Sequence, residues 1–199
     1  YTPDTNYHGT DSFTYVANDS QADSNTATVI ITINPINDPP IANDDTYSVN
    51  EDTTLNIPAP GILTNDIDVD GDTLTTILIS DVSNGTLNLN SNGAFTYTPD
   101  PDYNGQDTFT YQAYDNIEYS NTATVTITIN PINDPPIAND DTATVDEDSN
   151  NNQIDVLAND FDIDGDDIDI NGVTQPLHGN ASFTVDFVFY TPETNYNGP

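Results

Sequence analysis

The chain has 199 residues, 34 acidic side chains, no Lys or Arg, and no Cys, giving a formal charge of −34. That balance excludes nucleic acid as a partner, because phosphate recognition needs Lys and Arg, and it excludes disulfides and thiolate metal sites. No apolar run reaches the 18 residues of a membrane-spanning helix, so membrane insertion is not expected.

Hydrophobic content is only 34%, yet the 11 Tyr and 7 Phe are patterned rather than scattered. Several small cores under a large polar surface are expected. The first ten residues, YTPDTNYHGT, carry neither the basic region nor the apolar core of a secretory leader. If the protein is secreted, its signal is expected outside this segment.

Taken in order, the chain repeats itself. YTPDTNYHGTDSFTY at Tyr1 returns as YTPDPDYNGQDTFTY at Tyr97 and begins again as YTPETNYNGP at Tyr190. NPINDPPIANDDT occupies Asn34 to Thr46 and again Asn130 to Thr142, 96 residues later. LTNDIDVDGDTL at Leu63 returns as LANDFDIDGDDI at Leu157, 94 residues later. Self-similarity at a fixed period marks a tandem array. The expected domains are the end of one repeat (residues 1–36), a complete repeat (37–132) and the start of a third (133–199).

Within a repeat the local signal is β. TATVIITI (Thr26 to Ile33) and TATVTITI (Thr122 to Ile129) are β-branched runs, and GAFTYTP and DTFTYQAYD alternate aromatic with polar residues. SNGA (Ser91 to Ala94) reads as a hairpin turn, with Asn-Gly supplying positive φ. Seven strands are expected in the complete repeat, near 44–49, 53–57, 73–82, 85–90, 93–98, 107–114 and 122–130. The expected fold is all-β: tandem seven-stranded immunoglobulin- or cadherin-like β-sandwiches joined end to end. Tyr111 and its counterpart Tyr15 read either as tyrosine corners of such sandwiches or as plain core aromatics.

The loop NDIDVDGDTL sets Asp66, Asp68, Asp70 and Asp72 on alternate positions around one glycine. Two carboxylates 4 Å apart repel by about 1 kcal/mol in water, and by more near a protein surface. A cation between them reverses that sign. Hard oxygen donors in irregular geometry suit Ca²⁺ over Mg²⁺, and Zn²⁺ is disfavoured because the only imidazoles are His8 and His178. DIDVDG matches the first half of an EF-hand loop, but position 12 is Ile77 here and Asn171 in the second copy, so further ligands must come from elsewhere. In a sandwich the loops after the second and sixth strands share one end with the incoming linker. The first junction is therefore expected to gather Asn37, Asp38, Asp66, Asp68, Asp70 and Asp115, with Asn6 from the preceding repeat. The other reading is a solvated acidic loop.

INDPPIANDD, LTNDIDVDGDTL and YTPDPDYNGQDTFTYQAYD together resemble the bacterial cadherin-like tandem repeats of very large secreted adhesins, including RTX-type adhesins. The resemblance implies Ca²⁺-rigidified sandwiches in series, serving as extenders or adhesive modules at the bacterial cell surface. It implies linker ligands at Asn37-Asp38 and Asn133-Asp134, although Pro35, Pro39, Pro131 and Pro135 replace the outer residues of the cadherin linker pattern. It adds Glu51 and Glu147 near the first strands, and Asp102-Tyr103-Asn104 with its counterpart Asn6-Tyr7-His8. A second junction is thus expected from Glu51, Asp102, Asn104, Asn133, Asp134, Asp160, Asp162 and Asp164.

Paired carboxylates also occur in glycosidases, but these lie in turn loops, and Asn replaces each His in the neighbouring copy. Both His residues read as surface turn positions, and no enzyme is expected. A different reading is a filament or sheath subunit whose missing strands come from another copy by strand complementation. Expected partners are neighbouring repeats, copies of the same chain, or a cell-surface or carbohydrate ligand. Sequons at Asn18, Asn84 and Asn180 are candidate glycosylation positions.

Overall fold

The alternating segments form strands, and a computed structural model describes residues 1–198 as two units that divide between Pro131 and Ile132. In the first unit, β1 (Gly9–Tyr15) and β2 (Ala27–Ile33) make an antiparallel hairpin. The complete repeat then supplies β3 (Asp45–Asn50), β4 (Leu55–Ile57), β5 (Thr75–Ser80), β6 (Gly85–Leu89), β7 (Phe95–Pro99), β8 (Gly105–Tyr114) and β9 (Ala123–Asn130). These seven match the expected strands in number and order. They build a four-stranded sheet, β3-β9-β8-β5, and a three-stranded sheet, β4-β7-β6. The β3–β9 pairing is parallel, and the others are antiparallel.

Period-two alternation places one face of each strand inward. On β8 and β9 the buried positions are Asp107, Phe109, Tyr111, Ala113 and Ala123, Val125, Ile127, Ile129. They meet Phe95 and Tyr97 of β7, all in one core. Phe95 stands edge-on to Phe109 at 5.6 Å and to Tyr47 at 5.2 Å, the geometry aromatic quadrupoles favour. Asp107 is charged and buried, but it accepts the Ser83 and Asn84 N–H groups at 3.0 and 2.8 Å and the Tyr97 hydroxyl at 3.0 Å. The expected turn joins β6 to β7, with Gly93 at φ +83°. A Cβ on Gly93 would meet the Pro60 carbonyl oxygen at 2.0 Å, so this turn is also a close approach that only glycine permits.

Tyr111 is a core aromatic rather than a local corner. Its hydroxyl lies 2.9 Å from the Ile62 carbonyl and 3.0 Å from both Asp66 carboxylate oxygens, 49 and 45 residues upstream.

In the second unit, β10 (Asn152–Ile154), β11 (Gly179–Phe183) and β12 (Val188–Pro192) form one sheet in the order β10-β12-β11. This reproduces the β4-β7-β6 sheet. The residues matching β3 and β5 are not strands here. In the complete repeat those strands pair with β9 and β8, and residues 133–198 contain no counterpart of either.

Phe109 is fully buried, whereas its counterpart Phe13 is 51% exposed. Truncating a buried Phe costs about 3–5 kcal/mol, and an exposed one within about 0.5 kcal/mol. In denaturant unfolding followed by tyrosine circular dichroism, Phe109→Ala is expected to lose the complete repeat's transition or shift it by that amount. Phe13→Ala is expected to leave the same transition in place.

Candidate metal centre

The acidic loop is held in shape by its own backbone. Gly71 sits at φ +77° with open space where a Cβ would stand, so conformation rather than crowding selects glycine. Asp68 Oδ1 accepts the N–H groups of Asp70 at 2.9 Å and Asp72 at 3.1 Å. Asp68 Oδ2 is buried and has no hydrogen-bond partner. Oxygens of Asp68, Asp70 and Asp72 lie within 4.8 Å of one another. The linker closes on the loop, because the Asp38 N–H donates to Asp70 Oδ2 at 2.8 Å. Three anionic hard donors, one with an orphaned oxygen, fit a hard divalent cation.

The other expected first-junction residues divide. Asn6, Asp38 and Asp70 line one cavity of about 310 Å³, together with Asp4 and His8. Asn37 donates its side-chain amide to Asp115 Oδ2 at 3.0 Å. Asp115 is buried, and its Oδ1 accepts the N–H groups of Ile117 and Glu118, both at 2.7 Å. Asp66 points away from the carboxylate trio. Its Oδ1 takes the Asn43 N–H at 2.9 Å, and its carboxylate takes the Tyr111 hydroxyl. Asp72 belongs to the trio though it was not among the expected ligands; its place in the same alternation was the available signal.

At the β7–β8 loop of the complete repeat, Asn104 donates to Glu51 Oε2 at 3.4 Å, and the Asp102 N–H donates to Asp52 Oδ1 at 3.2 Å. Asp52 was missed, although Asp148 repeats it directly after Glu147. In the second unit the acidic loop recurs with the same bonds. The Asp134 N–H donates to Asp164 Oδ2 at 2.7 Å, the Asp164 N–H to Asp162 Oδ1 at 2.9 Å, and the Asn139 N–H to Asp160 Oδ1 at 2.7 Å. Asn133 donates its amide to the Asp134 carbonyl at 2.8 Å. Among the sequons, Asn18 and Asn180 are exposed, while Asn84 is half-buried beside Asp107. His178 stacks on Tyr196 with ring centroids 4.3 Å apart and lies 3.4 Å from Glu193.

Residues 37–131 match the family model described as the bacterial cadherin-like domain, and residues 1–32 and 133–199 match the bacterial Ig domain. The chain belongs to the bacterial cadherin-like and Ig-like repeats. No curated protein matches it. Among solved structures it is similar to human mucin-like protocadherin EC1-2, at 21% identity and TM-score 0.47, covering 66% of this chain and 73% of that one. It is also similar to the extracellular cadherin domains 1-5 of protocadherin gamma B2, at 19% identity and TM-score 0.49, covering 85% and 35%. An endo-fucoidan hydrolase of glycoside hydrolase family 107 aligns at 17% identity and TM-score 0.40; 98% of this chain spans 31% of that one. Among the described residues no helix is long and apolar enough to cross a membrane.

Inside the cadherin-like repeat, a second carboxylate pair lies next to the loop. Burial, and then the charge of Asp66, push Asp45 up to about 6. Burial also raises Asp66, against the opposing Asn43 N–H and Tyr111 hydroxyl. Asp45 Oδ2 is buried without a hydrogen-bond partner. The folded repeat thus keeps a proton on Asp45 that the unfolded chain releases near pH 4. Stability from this group is complete below about pH 4 and is lost as pH rises through about 6. Mutual repulsion of the other carboxylates slopes the same way, so the comparison of variants decides. In chelator, the thermal midpoint of Asp45→Asn is expected to fall less steeply than that of the parent between about pH 4 and 6. Parallel slopes would show that Asp45 does not titrate in this window.

Proposed function

We propose that the chain is a calcium-stiffened structural repeat, an extender of a large extracellular bacterial adhesin or surface fibre, without catalytic function. The observation that carries this reading is the trio of Asp68, Asp70 and Asp72, with the orphaned Asp68 Oδ2 and the linker N–H of Asp38 bound to the same loop. Its hydrogen bonds recur in the second unit.

Ca²⁺ supplies the positive charge and the oxygen-coordination demand that no side chain of this protein provides. Asp68, Asp70 and Asp72 would hold it, with Asp38 and Asn6 on the adjoining cavity wall. The residues then divide the labour: Asp68 shapes the loop by accepting the Asp70 and Asp72 N–H groups, and Asp70 ties the loop to the linker. Asn37 and Asp115 fasten the linker's other side chain to the end of the sandwich. With the linker bound on two sides, successive repeats (1–36, 37–132 and 133–199) act as stiff segments. The partners are then neighbouring repeats of the same protein, outside the cell.

Calcium titration followed by calorimetry is expected to give saturable binding and a higher melting midpoint. Ligand at 100 times its Kd adds about 2.7 kcal/mol. The Asp68→Asn/Asp70→Asn variant should lose the part of the response that belongs to the complete repeat, while Asp81→Asn, on an exposed residue outside the loop, should keep it. Small-angle scattering should report a smaller maximum dimension in EGTA; an unchanged dimension would falsify the stiffening role.

A further inference from the structure

We propose that the outer face of the β3-β9-β8-β5 sheet binds an uncharged polysaccharide, through a strip formed by Ile77, Tyr114 and Tyr119 at one end of the sheet. The seven strands of the complete repeat carry two carboxylates, Asp45 and Asp107. Both stand on inward positions: Asp45 pairs with the buried Val125, and Asp107 is itself buried. The other acids of this repeat lie in loops and the linker, so neither outer sheet face presents a charge from its strands. What separates the two faces is the strip. The outward positions of β4-β7-β6 are all Asn or Thr. On the larger sheet the outward row of β8 ends in Tyr114, whose ring stacks on Tyr119 with centroids 4.5 Å apart and planes 25° apart. Tyr119 is 55% exposed, so with Tyr114 against one face of its ring the other face is open. On the edge strand β5, the exposed Ile77 pairs with Gln112, which makes it the diagonal neighbour of Tyr114.

The fold does not require these side chains. Tyr114 and Tyr119 face each other in an antiparallel bridge, and 96 residues earlier the same bridge is Asn18↔Asp23. There an amide–carboxylate hydrogen bond of 2.6 Å closes it. In the second unit Asn171 stands where the complete repeat has Ile77. Edge strands commonly carry charge that discourages docking, and β5 carries none. The complete repeat thus places two aromatic rings and an isoleucine at its surface, at positions that the neighbouring copies fill with polar residues.

The class of ligand follows from the strip and its surroundings. A pyranose ring offers a face of C–H groups that packs on an aromatic ring, and a rim of hydroxyls that donate and accept hydrogen bonds. Beyond the strip, Gln112 and Thr108 of β8 and Thr126 of β9 stand on outward positions and supply uncharged amide and hydroxyl partners. A polysaccharide bearing carboxylate or sulfate is repelled by a protein of charge −34, and so is a second copy. A cationic partner gains more from the acidic loops than from a sheet face without charge. An uncharged sugar chain meets neither obstacle.

The test is affinity electrophoresis of the full chain in gels containing hydroxyethylcellulose, galactomannan or carboxymethylcellulose, with depletion by chitin alongside. The parent is expected to be retained by at least one of the three uncharged polymers and to run freely in the anionic carboxymethylcellulose. Tyr114→Asn/Tyr119→Asp installs the pair that closes the same bridge in the preceding repeat, so the hairpin end should fold, and retention should weaken about tenfold. Thr108→Glu, which sets a charge on the outward row of β8, should also weaken retention, whereas Thr86→Glu, at an exposed position of the opposite sheet, should match the parent. No retention by any uncharged polymer, equal retention by carboxymethylcellulose, a tyrosine-pair variant that binds like the parent, or Thr108→Glu and Thr86→Glu that behave alike would each overturn the proposal. Dimerisation of the parent without sugar, abolished by the tyrosine-pair variant, would assign the strip to a second copy and overturn it too. The acidic loop takes no part in this site, so loss of calcium binding would count against the stiffening role alone.

Discussion

A chain with 34 carboxylates and neither Lys nor Arg must find another partner for every acid it brings near its core. Backbone N–H groups serve first. Asp107 takes three of them and a tyrosine hydroxyl, and this permits an acidic residue to sit at 4% exposure beneath the β6–β7 hairpin. Asp115 takes two N–H groups and the Asn37 amide, which hold its pKa below the usual carboxylate range, the Glu118 N–H most of all. Each such bond also fixes a loop. The scarcity of cations is therefore a shaping constraint: loops fold so that N–H groups converge on carboxylates, and the linker is positioned by the same bonds.

The repeat shows that burial belongs to context rather than to a strand. β1–β2 and β8–β9 share a register and nearly a sequence. One hairpin is the centre of a sandwich, and the other exposes the same aromatic face. Conversely, the residues matching β3 keep much of its sequence in the second unit (DTATVD against DTYSVN) but form no strand, and those matching β5 (DINGVT against TTILIS) form none either. Their ladder partners in the complete repeat are β9 and β8, and an isolated extended segment gains too little to offset its conformational entropy.

This explains which features were legible in the sequence. The seven strands of the complete repeat follow from alternation and turn residues, which are local properties. The Gly93 turn was readable from Asn-Gly, but the Pro60 carbonyl that crowds it was not. In the acidic loop, alternation treats Asp66 and Asp68 as equals. What separates them is Tyr111, 45 residues away, which draws Asp66 toward the core. Asp52 escaped because its role depends on the Asp102 N–H, brought near by the β7–β8 connection. Spacing identified the family of carboxylates; long-range packing sorted them.

Two carboxylate oxygens of the complete repeat, Asp45 Oδ2 and Asp68 Oδ2, remain without a hydrogen bond. They differ in what can relieve them. Asp45 is desolvated beside Asp66, and a proton suffices, which is why its acidity moves toward neutrality. Asp68 sits with Asp70 and Asp72 at the surface, where neighbouring carboxylate oxygens already lie within 4.8 Å and a hydrated ion has access. A proton satisfies one oxygen, whereas a divalent cation serves three carboxylates at once. The interior and the joint therefore answer the same shortage of positive charge differently. Proton uptake acts on the stability of the sandwich, whereas a cation, on the proposed reading, would act on the linker that Asp38 ties to the loop. On that reading, removing the cation should release the joint before it reaches the core, because hydrogen bonds from the chain already satisfy Asp107 and a proton serves Asp45.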